Sequence, residues 1–217
     1  FELENLLRQL SVLLSGNLGE KDLEVLFAID KNVPPVLIGD ELRLLQILLN
    51  LASNAIKFTD QGEVVLCVNQ LSRNANTVTL EFIVSDTGIG IPESKINTIF
   101  EDFMQAESST TRRYGGTGLG LTISSRLVKM MGSTLNVTSE LRKGSKFSFI
   151  VTFEFDPIPQ TFKVIKSQSK MKVLAVDDNE MARKIMQDLA NSLGWECDIA
   201  SNGSEAIKLL TAPLQTY

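Results

Sequence analysis

Two glycine clusters bracket one polar stretch of this chain, Asp86-Thr87-Gly88-Ile89-Gly90-Ile91-Pro92 on one side and Tyr114-Gly115-Gly116-Thr117-Gly118-Leu119-Gly120-Leu121 on the other. Glycine lacks a Cβ, so each cluster lets the backbone take positive φ and approach a ligand closely. A run of exposed N–H groups entering a helix is a natural seat for phosphate. Asp86 follows the apolar, β-branched run Val78 to Val84, which predicts a strand whose end delivers the carboxylate into the cavity the glycines line. A carboxylate there suits the exocyclic amine of a purine. Together the clusters point to a nucleotide pocket.

A second polar group lies upstream. Asn50 and Asn54 stand four residues apart in an otherwise apolar helical run, which puts both carboxamides on one face, one turn apart. A buried helix accepts Asn poorly, because the amide demands partners. Two stacked amides suggest ligands aimed at a shared site, and an amide oxygen suits Mg²⁺ beside nucleotide phosphates. Lys57 reaches the same side. Alone, these three residues describe an ordinary solvent-facing helix surface; their company singles them out. A third pair, Asp177-Asp178, ends a short apolar strand, and paired acids at a strand end suit a hard cation.

The elements that must position these groups follow from periodicity. Leu3, Leu6, Leu7, Leu10, Leu13 and Leu14 predict a helix over 1–14, ended by Gly16 and Gly19. Leu23, Val25, Phe27 and Ile29 alternate as a strand. Asp40 is the expected N-cap of a long buried helix ending near Phe58. Asp60-Gln61-Gly62 reads as a turn, and 63–70 and 77–85 as a hairpin across the loop 72–76. A short helix from Pro92 runs through Ile99 and Phe100, and the polar segment 105–114 reads as a lid. A helix over 119–131, stopped by Gly132, precedes a second hairpin, 133–139 and 145–154. This order is α+β with a largely antiparallel sheet. After a polar linker the pattern changes: strand 172–176, helix 181–193, strand 196–200 and a helix from Gly203 make a βαβα start of a parallel, doubly wound sheet. The expected division is a nucleotide-binding domain at 1–156, a linker at 157–170 and this βαβα piece at 171–217, too short to cover both faces of such a sheet.

Composition narrows the function classes. Hydrophobic residues are 43 % and charged residues 22 %, so a core is available, and a net charge of −5 gives no bulk attraction to nucleic acid or an anionic membrane. Cys67 and Cys197 match no metal-ligand spacing and are expected as free thiols in a reducing compartment. No apolar run reaches the roughly 18 residues that span a bilayer and no signal peptide opens the chain. A cytoplasmic segment is expected, compatible with the cytoplasmic part of a membrane-anchored parent. The chain contains no histidine, so chemistry that needs an imidazole must obtain it from another molecule.

In this order and spacing, Asn50-Leu51-Ala52-Ser53-Asn54-Ala55-Ile56-Lys57-Phe58-Thr59, the stretch Ser85 to Pro92, Phe100 to Phe103, and Arg113 to Leu121 resemble the asparagine and glycine boxes of the histidine-kinase catalytic domain. That domain is one of the Bergerat-fold ATPases, with gyrase-type and heat-shock relatives. Gly144-Ser145-x-Phe147 resembles its last glycine motif. The resemblance covers Phe1 to Phe155 and implies a two-layer α/β sandwich, a mixed, mostly antiparallel sheet with helices on one face. It implies ATP and Mg²⁺ as ligands: Asp86 on the adenine amine, Gly88, Gly90 and Ile91 as wall, and Ser145 alongside. Asn54, helped by Asn50, would hold the metal. Lys57 and the N–H groups of Gly116, Thr117, Gly118, Leu119 and Gly120 would hold phosphates, and Phe100 and Phe103 would anchor the lid. Many relatives carry an Arg shortly after the second Phe that touches the terminal phosphate. Here that place reads Met104-Gln105-Ala106-Glu107, which leaves the role open to Gln105, Arg112 or Arg113.

Asp177-Asp178 and its helix resemble the opening of a response-regulator receiver, whose acids hold Mg²⁺; the phosphate-accepting Asp of that family ends its third strand, beyond Tyr217. A kinase domain followed by a receiver is the layout of a hybrid sensor histidine kinase, which moves the ATP γ-phosphoryl group to a histidine on a separate dimerisation hairpin. The expected partners are that hairpin and a receiver or response regulator. No side chain here is expected to act as a catalytic base. A gyrase-like hydrolase ranks lower, because those relatives place a water-activating Glu where Asn50 stands. A module that binds ATP without transferring phosphate is the alternative of another class.

Overall fold

The structure is a computed structural model that describes residues 1–19, 21–96, 98–100, 119–156 and 171–211. The lid segment 105–114, the linker 157–170, and Phe103, Gly116, Thr117 and Gly118 lie outside the described residues. The chain divides into two compact units, Phe1–Pro157 and Ile158–Tyr217.

The first unit opens with α1 (Leu3–Leu18), which buries Leu3, Leu6, Leu7, Leu10 and Leu14 on one face. Contrary to expectation it runs through Gly16. One glycine costs a helix about 1 kcal/mol, and Leu18 beyond it still packs on the core. Gly19, at φ 55°, is where the helix stops. Next come β1 (Asp22–Ile29) and α2 (Glu41–Phe58). Asp40 caps α2 as expected, its side chain accepting the Arg43 N–H at 3.1 Å.

β2 (Gln61–Arg73) and β3 (Thr77–Asp86) form the first hairpin. Both extend past their expected ends: Gln61 and Gly62 pair with Asp22 and Leu23 of β1 instead of forming a free turn, and a bulge between Gln70 and Ser72 carries β2 on to Arg73. The short helix α3 (Glu93–Ile96) and α4 (Gly120–Met130) follow. The second hairpin is β4 (Asn136–Glu140) with β5 (Gly144–Glu154). The sheet order is β1-β2-β3-β5-β4, with β1 and β2 parallel and the other neighbours antiparallel.

Strand parity explains the core. Val78, Leu80, Phe82 and Val84 of β3 share one face with Val64, Leu66 and Val68 of β2 and Phe147, Phe149, Val151 and Phe153 of β5. Phe82 stands opposite Val68 on one side and Phe149 on the other. Its ring stacks on Phe149 at 5.1 Å and meets Phe153 edge-on at 6.2 Å. The helices supply Leu44, Ile47, Leu48, Leu51, Ala55 and Val128 to the same cluster. The result is a two-layer arrangement with β3 at its centre.

The second unit contains β6 (Lys172–Val176), α5 (Glu180–Ser192), β7 (Glu196–Ala200) and α6 (Gly203–Thr211). β6 and β7 pair in parallel, Val173 opposite Cys197. α5 starts one residue earlier than its apolar pattern, because Asn179 caps it, accepting from the Met181 and Ala182 N–H groups at 2.8 and 3.0 Å. No helix among the described residues is long and apolar enough to cross a membrane.

Phe82 is fully buried between two aromatic partners, whereas Ile150 on β5 is 43 % exposed. Phe82→Ala is expected to cost about 3–5 kcal/mol of unfolding free energy, and Ile150→Ala less than about 0.5 kcal/mol, both read by denaturant titration.

Candidate functional site

Asp86 owes its place to the same parity. It is the next residue in the row Val78, Leu80, Phe82, Val84, so its carboxylate emerges at the rim of the core on the helix side of the sheet. Its Cα stands opposite Val64 and Ser145. Oδ1 accepts the Gly88 N–H at 2.9 Å and the Ser145 N–H at 3.3 Å. Among the described residues nothing donates to Oδ2, so its acceptor capacity is intact. Burial pushes the Asp86 pKa up, while the two backbone N–H groups oppose the shift by stabilising the carboxylate.

The loop after Asp86 is held from both sides by backbone. A Cβ on Gly88 would collide with the Phe58 carbonyl and lie 2.7 Å from Thr59 Oγ1, so the chain passes flush against the end of α2. The Ile89 N–H donates to the Phe58 carbonyl at 3.2 Å. On the other flank the Arg142 N–H donates to the Ile89 carbonyl at 2.7 Å, and the Ile91 N–H donates to Ser139 Oγ at 2.7 Å. Ser139 Oγ in turn donates to the Gly144 carbonyl at 2.9 Å and stands 3.0 Å from Ser145 Oγ. Gly90 takes φ 68°, and a Cβ there would strike the Glu140 carbonyl.

α2 carries Asn50, Asn54 and Lys57, all half-buried. Asn50 Nδ2 donates to Ser124 Oγ at 2.7 Å, and its Oδ1 lies where a Cβ on Gly120 would fall. Asn50 thereby ties α2 to the first turns of α4. Leu119, the N-cap residue of α4, has no side-chain oxygen to cap that turn. The side-chain amide of Asn54 makes no hydrogen bond with any described residue. Burial lowers the Lys57 pKa, and its ammonium sits 5.0 Å from the centre of the Phe58 ring. Phe100 packs on the core from the turn after α3.

Of the expected residues that the structure describes in the first unit, Gly88 lies against the end of α2, Ser145 pairs with Asp86, and Asn50 lies against Gly120. Asp177 and Asp178 belong to the second unit. Asp177 Oδ1 accepts the Asn179 N–H at 2.8 Å, and Asp178 is exposed. Sequence reasoning passed over Ser124 and Ser139, and gave Thr59 no role of its own. Ser124 is 1 % exposed and sits three residues after Leu121 and four before Val128 in the buried row of α4. A serine in an apolar row is a signal. For Ser139, on an alternating strand, there was none.

Residues 39–156 match the family described as histidine kinase-, DNA gyrase B-, and HSP90-like ATPase. Across 97 % of its length the chain is 33 % identical to hybrid signal transduction histidine kinase K of Dictyostelium discoideum, covering 18 % of that protein. Sensor histidine kinase AruS of Pseudomonas aeruginosa is 37 % identical over 96 % of the chain, which covers 21 % of AruS. Signal transduction histidine-protein kinase BarA of Escherichia coli is 41 % identical over 72 % of the chain, which covers 17 % of BarA. The chain therefore spans about a fifth of the length of these relatives. The crystal structure of full-length ShkA in complex with AMPPNP is similar with a TM-score of 0.77 at 32 % identity, over 95 % of this chain and 41 % of that one. The mycobacterial sensor histidine kinase MprB shares the fold, with a TM-score of 0.57 at 22 % identity over 70 % of this chain and 95 % of that one.

Because burial raises the Asp86 pKa, the folded state binds more protons than the unfolded chain between the ordinary aspartate value and the raised one. Stability therefore falls as pH rises through that window, and the cost of the charge is fully present above it. Asp86→Asn keeps an acceptor for the Gly88 and Ser145 N–H groups without the charge. It is expected to hold or raise the unfolding midpoint at neutral pH and to flatten this part of the acid profile, read by thermal unfolding across acidic to neutral pH.

Proposed function

The chain belongs to the histidine kinase-, DNA gyrase B-, and HSP90-like ATPase family, and on that footing we propose that its first unit is the ATP-binding catalytic domain of a hybrid sensor histidine kinase. The reaction is transfer of the ATP γ-phosphoryl group to a histidine on a dimerisation hairpin. The observation that carries this reading is the state of Asp86, one oxygen held by two N–H groups and the other open, beside a helix end that presents Asn54 and Lys57. The likeness to named histidine kinases supports it.

In this reading Asp86 Oδ2 accepts the adenine amine, and Gly88, Gly90 and Ile91 form the wall of the base pocket with Ser145 beside it. Lys57 and the N–H groups of 116–120 take the phosphates, with Phe103 at the lid. The residues fit Mg²⁺: carboxamide oxygens are hard, neutral ligands, and that of Asn54 is unclaimed by any described residue. Asn54, with Asn50, would hold the ion, which when bound supplies charge neutralisation at the phosphates. Phosphoryl transfer is mostly positioning and charge stabilisation. No protein base is required, because the nucleophile is a neutral imidazole nitrogen. It forms the N–P bond as the bond from the γ-phosphorus to the bridging oxygen breaks and ADP leaves. With no histidine in the chain, the acceptor comes from elsewhere.

Water is a poor alternative nucleophile here. Asn50, where a gyrase-like hydrolase would have Glu, takes up no proton, and its amide nitrogen is engaged by Ser124. The second unit we read as the opening of a receiver domain, with Asp177 and Asp178 as its Mg²⁺ acids. Its parallel βαβα order supports this, as do the alignments with kinase K and AruS that cover nearly the whole chain. The corresponding boundaries are 1–156, 157–170 and 171–217. The compartment is cytoplasmic, and the partners are the histidine-bearing hairpin and a receiver.

Mixing the chain with a cognate histidine hairpin, ATP and Mg²⁺ is expected to leave acid-labile phosphate on the hairpin. Tight ATP binding without label means a silent module, and phosphate release without hairpin means a hydrolase. Asp86→Asn is expected to weaken ATP binding by about tenfold to a hundredfold by calorimetry, since the new amide sets a donor against the adenine amine. Asn54→Ala is expected to remove the Mg²⁺ dependence of ATP binding; an undiminished dependence would take the ion away from Asn54.

A further inference from the structure

The end of α2 is capped in an unusual way. The last carbonyls of a helix have no partner within it, and no glycine follows α2 to turn the chain back on them: its C-cap, Thr59, is extended at φ −114°. The accounting is nevertheless complete. The Ala55 carbonyl accepts Thr59 Oγ1 at 2.8 Å, and the Phe58 carbonyl accepts the Ile89 N–H at 3.2 Å. The remaining three carbonyls, of Ile56, Lys57 and Thr59, are taken at 2.7, 3.2 and 2.9 Å by one group, the ammonium of Lys21.

Lys21 lies between α1 and β1, more than thirty residues earlier in the chain. An ammonium has three donors and no acceptor, and here each donor meets a carbonyl. Its charge also lies at the negative end of the helix dipole. Asp60 Oδ1 stands 3.7 Å away on the exposed side. The geometry singles out the Phe58 carbonyl. Its sequence neighbours on both sides, the carbonyls of Lys57 and Thr59, are held by Lys21, so the peptide planes that fix its direction are themselves fixed. That carbonyl is the one that receives Ile89 and against which Gly88 is packed.

We propose that Lys21 is a positioning residue of the nucleotide site. By holding the carbonyls at the end of α2, it sets the spacing between the helix that carries Asn54 and Lys57 and the loop that follows Asp86. Lys21 touches neither purine nor phosphate; it acts through the Phe58 carbonyl and Ile89. The proposal rests on the reading of these two elements as one ATP site.

The test uses the whole chain and Lys21→Met, which keeps the apolar stem and removes all three donors. Without nucleotide, hydrogen exchange at the Ile89 amide is expected to accelerate about tenfold while the amides within β3 stay at their wild-type rates. The dissociation constant for a non-hydrolysable ATP analogue is expected to rise by a similar factor. Ile89 exchange within twofold of wild type overturns the proposal, as does uniform acceleration across β3, which would make Lys21 a general stabiliser. Faster Ile89 exchange with unchanged analogue affinity overturns it too. Should Lys21→Met fold too poorly to measure, Lys21→Arg carries the same comparison with an expected effect of about threefold, because a planar fork does not reach three splayed carbonyls as an ammonium does. A wild-type chain that binds no analogue overturns both this proposal and the kinase reading; one that binds it yet labels no hairpin overturns only the latter.

Discussion

Everything at the site follows from the two-residue period of β3. The alternation that sinks Val78, Leu80, Phe82 and Val84 under the helices also decides that Asp86, two residues on, projects to the same side. A slip of one residue in the pairing with β2 or β5 would turn the carboxylate to the opposite face and expose Phe82 with it. The carboxylate is therefore locked to the core: its direction is as strongly specified as the burial of the phenylalanine four residues before it. The opposed influences on its pKa reflect the same position, at the boundary between apolar row and polar loop.

Around that strand end, the polar groups are organised by long-range pairing. α2 contributes a face of amides and a run of terminal carbonyls, and each is met by a different part of the chain. Ser124 on α4 meets Asn50, Ile89 meets Phe58, and Lys21 meets Ile56, Lys57 and Thr59. The β4–β5 turn holds the far side of the loop through Arg142, Ser139 and Ser145. The loop backbone is thus held by protein at Thr87, Gly88, Ile89 and Ile91, while among the described residues Asp86 Oδ2 and the Asn54 amide have no partner. Selective incompleteness of this kind separates a binding site from a merely polar rim.

The sequence revealed what is local. β3 announced itself by β-branched alternation, α2 by Asp40 and an apolar stripe, and the Asp86 loop by its glycines. Element ends were less visible wherever a distant partner set them: β2 begins at Gln61 because β1 pairs there, and α1 continues past Gly16 because Leu18 finds the core. Lys21, Ser124 and Ser139 escaped notice for a related reason. Their partners lie 35 to 38, 74 and 48 residues away, and one lysine or serine says nothing of a carbonyl or amide that only folding brings near.

Gly88, Gly90 and Gly144 share a feature with a bearing on how such a loop diverges among descendants. Each is hemmed in by a main-chain carbonyl, of Phe58, Glu140 and Asp86 respectively. Where a glycine is confined by a neighbouring side chain, a second mutation that shrinks the neighbour restores room. A carbonyl oxygen is common to all twenty residue types, so no second-site suppressor of that kind exists for these three positions. Divergence in this region is channelled into Thr87 and Ile89, between immovable points.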